Sequence, residues 1–372
     1  MILDRLEALG FRNLEGSCCF GPKLNIFYGD NAQGKTNWLE AIYLLACTKS
    51  YRTKQLRDTI TIGAASAIVR GEVKRGSLSK QQQIQITEAA RQLFINGKRE
   101  SLPRYLGNLE VFVFSMEGME IIRREPAERR RFLDRGIVSI TPSFLGIISQ
   151  YNHVVRQKNK LLGQAMESNN PGSFRAQVEA WNQQLALLGT AVHQARVSYV
   201  DKLNRVLEEN DHGRSIFGAE SLSLRYRSQM EGKGDLADYE GVFRERLAVR
   251  LPAELGAGRS LIGPHRDEME ILADGYEIAR FSSAGQQKSA LFILDLAQLS
   301  IYNNTYEEEP VLLIDDVDAE LDRGRVEAVL LQVEGRAQTF VTTSRRSIAD
   351  RYRDKASIYL VKGGQMVEDM RM

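Results

Sequence analysis

A glycine-rich segment near the amino terminus has the residue types and spacing of a phosphate-binding loop. The pattern G-x-x-x-x-G-K-[ST] is matched by Gly29, Asp30, Asn31, Ala32, Gln33, Gly34, Lys35 and Thr36. In such loops the backbone N–H groups wrap phosphate oxygens, and the amino end of the next helix adds partial positive charge. Lys35 would hold the β- and γ-phosphates of ATP, and the Thr36 hydroxyl would ligate Mg²⁺. We therefore predict that this segment binds ATP.

The local context favours this prediction over an ordinary glycine-containing turn. Leu24–Tyr28 is a short apolar run typical of a buried strand, and Trp38, Ile42 and Leu45 lie at helical spacing just after the loop. A strand before and a helix after are the surroundings that a phosphate-binding loop requires.

Two acids end a second apolar run, Val311–Ile314. A buried strand that ends in acids places carboxylates at the carboxyl edge of a parallel sheet, where ligands bind. Asp315 would hold the Mg²⁺ shell, and Asp316 would polarise the attacking water. Most ABC-type ATPases have glutamate at the second position, and aspartate is one methylene shorter. The alternative is a strand that ends in solvated carboxylates, but the phosphate-binding loop favours the catalytic interpretation.

A third candidate lies at the start of a predicted helix. Ser283, Gly285 and Gln286 form the pattern S-x-G-Q ahead of the apolar run Leu291–Leu299. By itself the pattern could be only a helix cap and a loop. However, a phosphate-binding loop, then S-x-G-Q, then an acid-ended strand is the chain order of ABC-type ATPases. In these enzymes S-x-G-Q contacts the γ-phosphate held by a second subunit, so we predict that these three residues bind nucleotide.

The remaining patterns indicate which elements position these residues. Residues 67–98 alternate as antiparallel strands and include the hairpin signal Asn96-Gly97. Val311–Ile314 and Thr339–Thr342 flank a helix, which predicts a parallel sheet. Between these regions the chain is mostly helical, and a seam from Trp181 to Val206 is near the length of a short coiled-coil arm.

We therefore predict an α/β fold in which an inserted helical lobe interrupts an ABC-type ATPase head. The head, with its P-loop, mixed sheet and antiparallel β subdomain, would comprise residues 1–125 and 256–372, and the lobe or arm residues 126–255.

Composition limits the class of protein. The formal charge is only +2, so a nucleic-acid surface would have to be a local patch. The cysteines, Cys18, Cys19 and Cys47, have neither disulfide nor zinc spacing. The amino terminus does not resemble a signal peptide, and no apolar run reaches the ~18 residues that span a membrane. A reducing, cytoplasmic location without membrane contact is expected.

Several basic residues and one histidine lie outside the nucleotide-binding patterns. Arginines are densest between Arg123 and Arg135, where they could contact a DNA backbone or form ion pairs on a solvated helix. Lys49, Arg52 and Lys54 form another candidate group for DNA contact. His265 and Arg266 follow a Gly-Pro turn without a second His or Cys nearby, so we predict a structural role and no zinc.

Several stretches together resemble the RecF family of ABC-type ATPases, in order along the whole chain. The GPHRD and RRRFLD stretches are specific to that family. The matching stretches are FRNLE from Phe11, GDNAQGKTNWLEAIYLLA from Gly29, KSYRT from Lys49, EPAERRRFLD from Glu125, IGPHRDEMEI from Ile262, SSAGQQKSALFILDLAQL from Ser282 and LLIDDVDAELD from Leu312. Met116, Glu268 and Ala319 depart from the residues expected there.

The resemblance implies an SMC/Rad50-like head and a weak, DNA-stimulated ATPase. It also implies binding to duplex DNA and to junctions of single and double strands, ATP-dependent dimerisation, and partnership with RecR during RecA loading. By similarity, Asp322 would face the partner chain's nucleotide, and Thr343 would occupy the place of the ABC switch histidine. A threonine hydroxyl can hydrogen-bond a phosphate but cannot act as a cation.

Three other functions remain open from the residues. An ATPase subunit of a membrane transporter is the main alternative, although the helical lobe has no evident membrane-coupling motif. A structural tether of the SMC type would need far longer arms than the seam found here. A small-molecule kinase would have no use for the S-x-G-Q loop. ATP hydrolysis with and without duplex DNA distinguishes them.

Overall fold

The computed structural model describes residues 1–123, 126–209, 221–317 and 323–368. The chain folds into two compact units. The first, here called the head unit, comprises the described residues of 1–119 and 283–368. The second, the helical unit, comprises those of 120–209 and 221–282. The head unit is therefore built from both ends of the sequence.

An antiparallel sheet forms one layer of the head unit. With elements numbered in chain order, its strands are β1 (Ile2–Phe11), β2 (Leu14–Cys19), β4 (Ser66–Arg75), β5 (Leu78–Thr87), β6 (Arg91–Ile95) and β7 (Lys98–Arg99). They lie in the order β2-β1-β4-β5-β6-β7, each antiparallel to its neighbours. Asn96 and Gly97 both have positive φ between β6 and β7, which confirms the predicted hairpin turn.

The second sheet is mixed and mostly parallel. Its strands are β3 (Leu24–Tyr28), β8 (Val111–Phe114), β12 (Val311–Ile314), β13 (Gln338–Thr343), β14 (Ala356–Lys362) and β15 (Gln365–Glu368). The order is β15-β14-β3-β13-β12-β8, and only β14 and β15 pair antiparallel. The predicted parallel pairing of β12 with β13 is confirmed. Because β3, β13 and β12 are neighbours, the segments that follow them meet at one edge of the sheet.

Helix α1 (Lys35–Cys47) contacts strands of both sheets. Its residues from Trp38 to Ala46 are all buried, and all of them except Glu40 and Tyr43 are apolar, as expected for a helix inside a core. The other helices of the head unit are α2 (Leu102–Tyr105), α9 (Ala284–Tyr306), α10 (Arg323–Val333) and α11 (Arg346–Arg351). The core between the sheets thus fixes the helix that carries the end of the phosphate-binding loop.

Helices dominate the helical unit. They are α3 (Glu120–Arg123), α4 (Pro126–Ile140), α5 (Phe144–Glu167), α6 (Arg175–Glu209), α7 (Tyr239–Ala257) and α8 (Ile278–Phe281). A three-stranded antiparallel sheet is formed by β9 (Leu222–Arg227), β10 (Glu268–Ala273) and β11 (Tyr276–Glu277). The seam predicted in the sequence lies on α6, which packs against α4, α5, α7 and β9. The seam is therefore core packing within a compact unit, and α6 is not a free coiled-coil arm.

None of the helices in the described ranges is both long and apolar enough to cross a membrane. Asp322 and Ala319 lie outside those ranges.

Candidate functional site

Two glycines give the loop after β3 its shape. Gly29 and Gly34 have φ angles of 149° and 107°, a region that L side chains rarely adopt. A Cβ at Gly29 would lie 2.4 Å from the Val361 carbonyl oxygen, and one at Gly34 would lie 2.9 Å from Asn13 Oδ1. Only glycine fits either position without moving the neighbouring backbone or side chain. The sequence pattern therefore reflects a steric requirement of this loop.

Gln33 fastens the loop to the turn between β14 and β15. Its side-chain oxygen accepts a hydrogen bond from Gly363 N at 2.8 Å, and its backbone oxygen accepts one from Gly364 N at 2.8 Å. Trp38 Nε1 donates to the Gly364 carbonyl at 3.1 Å. By contrast, Asp30, Asn31 and Ala32 are exposed at the rim of the loop. The loop is thus fixed at its base while its rim faces solvent.

Lys35 lies inside the loop that it ends. It is 8% exposed, and its Nζ donates to the carbonyl oxygens of Gly29 and Asp30 at 2.8 Å each. Both carbonyls are neutral, and an ammonium group can exchange such bonds for stronger, charge-assisted bonds to phosphate. The lysine is therefore held where the loop would surround an anion.

Asp315 joins three hydroxyl groups from distant parts of the chain. Thr36 Oγ1 donates to Asp315 Oδ1 at 2.9 Å, and Thr342 Oγ1 donates to the same oxygen at 2.7 Å. The Tyr51 hydroxyl donates to Asp315 Oδ2 at 3.2 Å. Asp315 is 7% exposed, so its charge depends on these donors instead of bulk water. The structure thus brings together Thr36 and Asp315, the two residues predicted from the sequence to ligate Mg²⁺.

The donor set suits Mg²⁺. This hard cation takes oxygen ligands and is commonly held by one or two carboxylates together with substrate phosphates and waters. Thr36 and Asp315 supply a hydroxyl and a carboxylate 2.9 Å apart. Within the ranges that the structure describes, no group of three or more His, Cys, Asp or Glu residues could hold a metal by itself. A cation at this point would therefore share the two protein oxygens with a bound nucleotide.

Asp316 and Thr343 lie at the same edge of the sheet. Asp316 is exposed and adopts a left-handed conformation with φ 51°, and its N–H donates to Thr342 Oγ1 at 2.7 Å. Thr343, fully buried, pairs in register with Tyr28, the residue before the loop. Its Oγ1 accepts a hydrogen bond from Arg345 N at 3.0 Å. Both residues are therefore beside the loop, although Thr343 presently caps the following turn.

The S-x-G-Q residues occupy another part of the head unit. Ser283 is the N-cap of α9, and its Oγ accepts from Gln286 N while Gln286 Oε1 accepts from Ser283 N. This capping box satisfies the free N–H groups of the helix start. Gly285 lies in the first turn, and Ser283 is exposed. Helix α9 packs against β8, which β12 and β13 separate from β3. That separation is about 14 Å at the usual strand spacing.

Tyr51, Thr342 and Glu40 were missed in the sequence. Tyr51 and Thr342 lie outside the phosphate-binding loop, the S-x-G-Q pattern and the acid-ended strand, so no local pattern points to them. Glu40 is fully buried on α1 and binds Arg12 through two hydrogen bonds of 2.8 and 2.9 Å. Glu40 could have been noticed in the sequence, because it is a charged residue among the apolar residues of a predicted helix.

In the helical unit, the arginines of α4 are bound within the fold. Arg129 pairs with Glu268 at 2.7 Å, and Arg130 donates to the Asp267 carbonyl at 2.9 Å. Arg131 pairs with Glu128 on the same helix. The ion pairs expected for this stretch are present at Arg129 and Arg131. Glu268, where the family often has aspartate, is the partner of Arg129.

The GPHRD stretch also packs within the helical unit. The Tyr151 hydroxyl on α5 lies 2.7 Å from His265 Nδ1 and accepts a hydrogen bond from His265 N at 3.2 Å. Burial, aided by the charge of Arg266, lowers the pKa of His265 to about 3. Arg266 donates to the Ser260 carbonyl at 3.0 Å. The histidine is therefore neutral at physiological pH, and its contacts are those of a structural residue.

The fold and the site together define the class of protein: an ABC-type ATPase head with a helical second unit. Residues 2–366 match the family model described as the RecF/RecN/SMC N terminal domain.

Similar proteins narrow the class. DNA replication and repair protein RecF of Halothermothrix orenii is 34% identical, with 92% of each chain covered. That of Synechocystis is 36% identical, covering 99% of this chain and 98% of the relative. A solved structure of the recombination mediator protein RecF with ATPrS, in the RecFOR pathway, has a TM-score of 0.87 and 28% identity, covering 99% of this chain and 98% of that one. The chain belongs to the RecF family of DNA replication and repair proteins. These relatives do not support the transporter alternative.

Proposed function

We propose that this chain is an ATP-driven DNA clamp of recombinational repair and replication-fork maintenance, with slow hydrolysis that DNA stimulates. Residues Gly29 to Thr36 would hold the triphosphate, with Lys35 on the β- and γ-phosphates. Thr36 and Asp315 would ligate Mg²⁺, and Asp316 would polarise the attacking water. Thr343 would contact the γ-phosphate from the end of β13.

One observation carries the nucleotide site: the 2.9 Å hydrogen bond between Thr36 Oγ1 and Asp315 Oδ1. The threonine that ends the loop after β3 and the acid that ends β12 come together across β13, which lies between those two strands. Their meeting gives two oxygen ligands where a nucleotide's metal is needed. The solved relatives with ATP and ATPrS support the same ligand.

The partners follow from the family. We propose that the protein binds duplex DNA and junctions of single and double strands, works with RecR, and helps to load RecA. Two heads would close on ATP, with Ser283, Gly285, Gln286 and Asp322 of one chain facing the nucleotide of the other. We also propose a reducing, cytoplasmic location, where thiols such as Cys18, Cys19 and Cys47 stay reduced.

ATP hydrolysis with and without duplex DNA tests the proposal. We expect slow turnover that rises when duplex DNA is added, and a gel-shift series of duplex, gapped and single-stranded DNA should favour duplex and junction forms. No hydrolysis, or hydrolysis indifferent to DNA together with no gel shift, would contradict the proposed function.

Lys35→Ala supplies the specific control. Removing its ammonium group deletes the charge proposed to bind the β- and γ-phosphates, so nucleotide binding or turnover should be lost while the thermal unfolding curve of the free protein is largely kept. The matched control is Lys23→Ala, which removes an exposed lysine at the opposite end of β3. Unchanged ATP affinity and turnover in Lys35→Ala would refute the assignment of the loop.

A further inference from the structure

The segment that follows α1 sends three consecutive side chains into the candidate site. Ser50 donates to Glu40, the Tyr51 hydroxyl donates to Asp315, and Arg52 binds Asn37 and Glu40. Asn37 directly follows the phosphate-binding loop. Three neighbouring residues of one short segment are thus tied to the loop helix and to the acid that ends β12.

The two oxygens of Asp315 have different partners. Oδ1 accepts from Thr36 and Thr342, whereas Oδ2 accepts from Tyr51 at 3.2 Å. With donors on both oxygens, rotation of the carboxylate about its Cβ–Cγ bond is restricted. Oδ1 is therefore kept beside Thr36, the second proposed oxygen ligand of the metal.

The position of Tyr51 is fixed by a contact of its own ring and by the hydrogen bonds of the next residue, Arg52. Its ring packs edge-on against Tyr43, with centroids 5.3 Å apart and planes at 88°. Its neighbour Arg52 donates to Glu40 Oε2 at 3.3 Å and to Asn37 Oδ1 at 2.8 Å. Glu40 is fully buried and is also bound by Arg12, so the residue to which Arg52 is bonded is itself fixed. The hydroxyl is therefore preorganised before any ligand arrives.

We propose that Tyr51 is a positioning residue for the Mg²⁺ site: its hydroxyl orients the Asp315 carboxylate so that Oδ1 is ready to share the cation with Thr36. Nothing in the sequence pattern assigns this role. The inference rests on the proposed function, because it needs Mg²⁺ to bind with nucleotide at Thr36 and Asp315. Hydrogen bonds that orient a metal-ligating carboxylate typically change metal affinity by about 10–100-fold when removed.

The test is a Mg²⁺ titration of the binding of a fluorescent, slowly hydrolysed ATP analogue, measured by anisotropy on the full chain. Tyr51→Phe keeps the ring and its contact with Tyr43 but removes the hydroxyl. We expect the half-saturating Mg²⁺ concentration to rise by roughly tenfold. Affinity for the analogue in EDTA and the thermal unfolding curve without ligand should stay the same.

Tyr43→Phe is the matched control, because it removes a hydroxyl from the same aromatic pair and keeps the Tyr51 hydroxyl that donates to Asp315. A purely structural role for the pair would make both variants alike. Combining Tyr51→Phe with Asp315→Asn gives the second control. If Tyr51 acts through the carboxylate, it should have no further effect on the Mg²⁺ titration in that background.

The possible outcomes are distinct. A Tyr51→Phe protein with the wild-type Mg²⁺ titration overturns the inference, as does an undiminished effect of Tyr51→Phe in the Asp315→Asn background. Either result would leave the proposed function intact, since wild-type binding would still depend on Mg²⁺. A wild-type protein that binds no analogue would overturn both.

Discussion

At the scale of single residues, the two adjacent acids after β12 have opposite environments. Asp315 is 7% exposed and accepts hydrogen bonds from three hydroxyls, whereas Asp316 is exposed and adopts a left-handed backbone conformation. Such a conformation costs about 1–2 kcal/mol for most residues and is tolerated more readily by aspartate. The Thr342 hydroxyl, which accepts from the Asp316 N–H, holds it in place. Strained backbone of this kind is concentrated at functional sites.

This contrast leads to a prediction for Asp316→Asn. The change keeps the size of the side chain but removes the charge proposed to polarise water, so turnover should fall by roughly 100-fold or more. ATP binding should persist. Single-turnover hydrolysis and equilibrium nucleotide binding measure the two properties separately. Asp315→Asn is the comparison, since it should weaken Mg²⁺-dependent binding as well. Near-wild-type turnover in Asp316→Asn would assign the base elsewhere.

At the scale of elements, helix α5 is joined to the segment before β10 by Tyr151 and His265. Because the Tyr151 hydroxyl accepts from the backbone N–H of His265, it has its proton free to donate to His265 Nδ1. Burial of the ring, aided by the charge of Arg266, disfavours its protonated form, so folding lowers the pKa of His265 to about 3.

The sign of the resulting pH dependence is fixed by that shift. An unfolded histidine titrates near pH 6.5, so between about pH 6.5 and pH 3 the unfolded chain binds a proton that the folded chain does not. Acidification from pH 7 to pH 5 should lower the free energy of unfolding by about 2 kcal/mol through this residue.

His265→Asn tests this coupling, because its amide oxygen can accept the same hydrogen bond but does not titrate. Urea unfolding at pH 7 and pH 5 should show a smaller acid loss for the variant than for the wild type. His153→Asn, at an exposed position on α5, is the control for replacing a histidine outside the contact with Tyr151. Equal acid losses for His265→Asn and wild type would exclude His265 as the source.

At the scale of the whole molecule, the nucleotide loop and the S-x-G-Q helix lie by different strands of one sheet, the loop by an interior strand and the helix by an edge strand. Helix α9 packs on β8, and two strands separate β8 from β3. Completing a site from both would therefore need a second chain, related by a twofold axis, with each ATP at the interface. Binding of ATP and dimerisation would then be reciprocally coupled.

We accordingly expect dimers by sedimentation or light scattering with a slowly hydrolysed ATP analogue, and monomers without it. Ser283→Arg should block dimerisation while sparing nucleotide binding, because it places bulk where the partner's γ-phosphate would lie. Ser283→Ala is the control for loss of the helix cap. It removes the capping hydroxyl, which lowers the free energy of unfolding by about 1 kcal/mol, but adds no bulk at the interface.

Mixing two variants gives a sharper test. A heterodimer of Lys35→Ala with Ser283→Arg would keep one complete site, because the intact lysine and the intact serine come from different chains. The mixture should therefore form ATP-dependent dimers that neither variant forms alone. Wild-type protein that remains monomeric with nucleotide, with or without DNA, would rule out the clamp and leave only an ATPase.

The sequence by itself determined the local chemistry of this protein. The phosphate-binding loop could be identified because its glycines, lysine and threonine are fixed by the backbone of a single turn, and the loop's flanking strand and helix follow from short-range periodicity. The same holds for the capping residues Ser283 and Gln286 and for the Asn96-Gly97 hairpin. The predicted domain bounds at 125/126 and 255/256 stay a prediction.

Only the tertiary structure decided which distant residues meet. Tyr51 and Asp315 are 264 positions apart, and Thr342 reaches Asp315 because β13 lies between β3 and β12. Strand order is set by how the whole core packs, so no local spacing encodes it. The seam of α6 illustrates the same limit: an apolar stripe shows that a helix is buried on one side, but the partner that covers it is chosen by the fold.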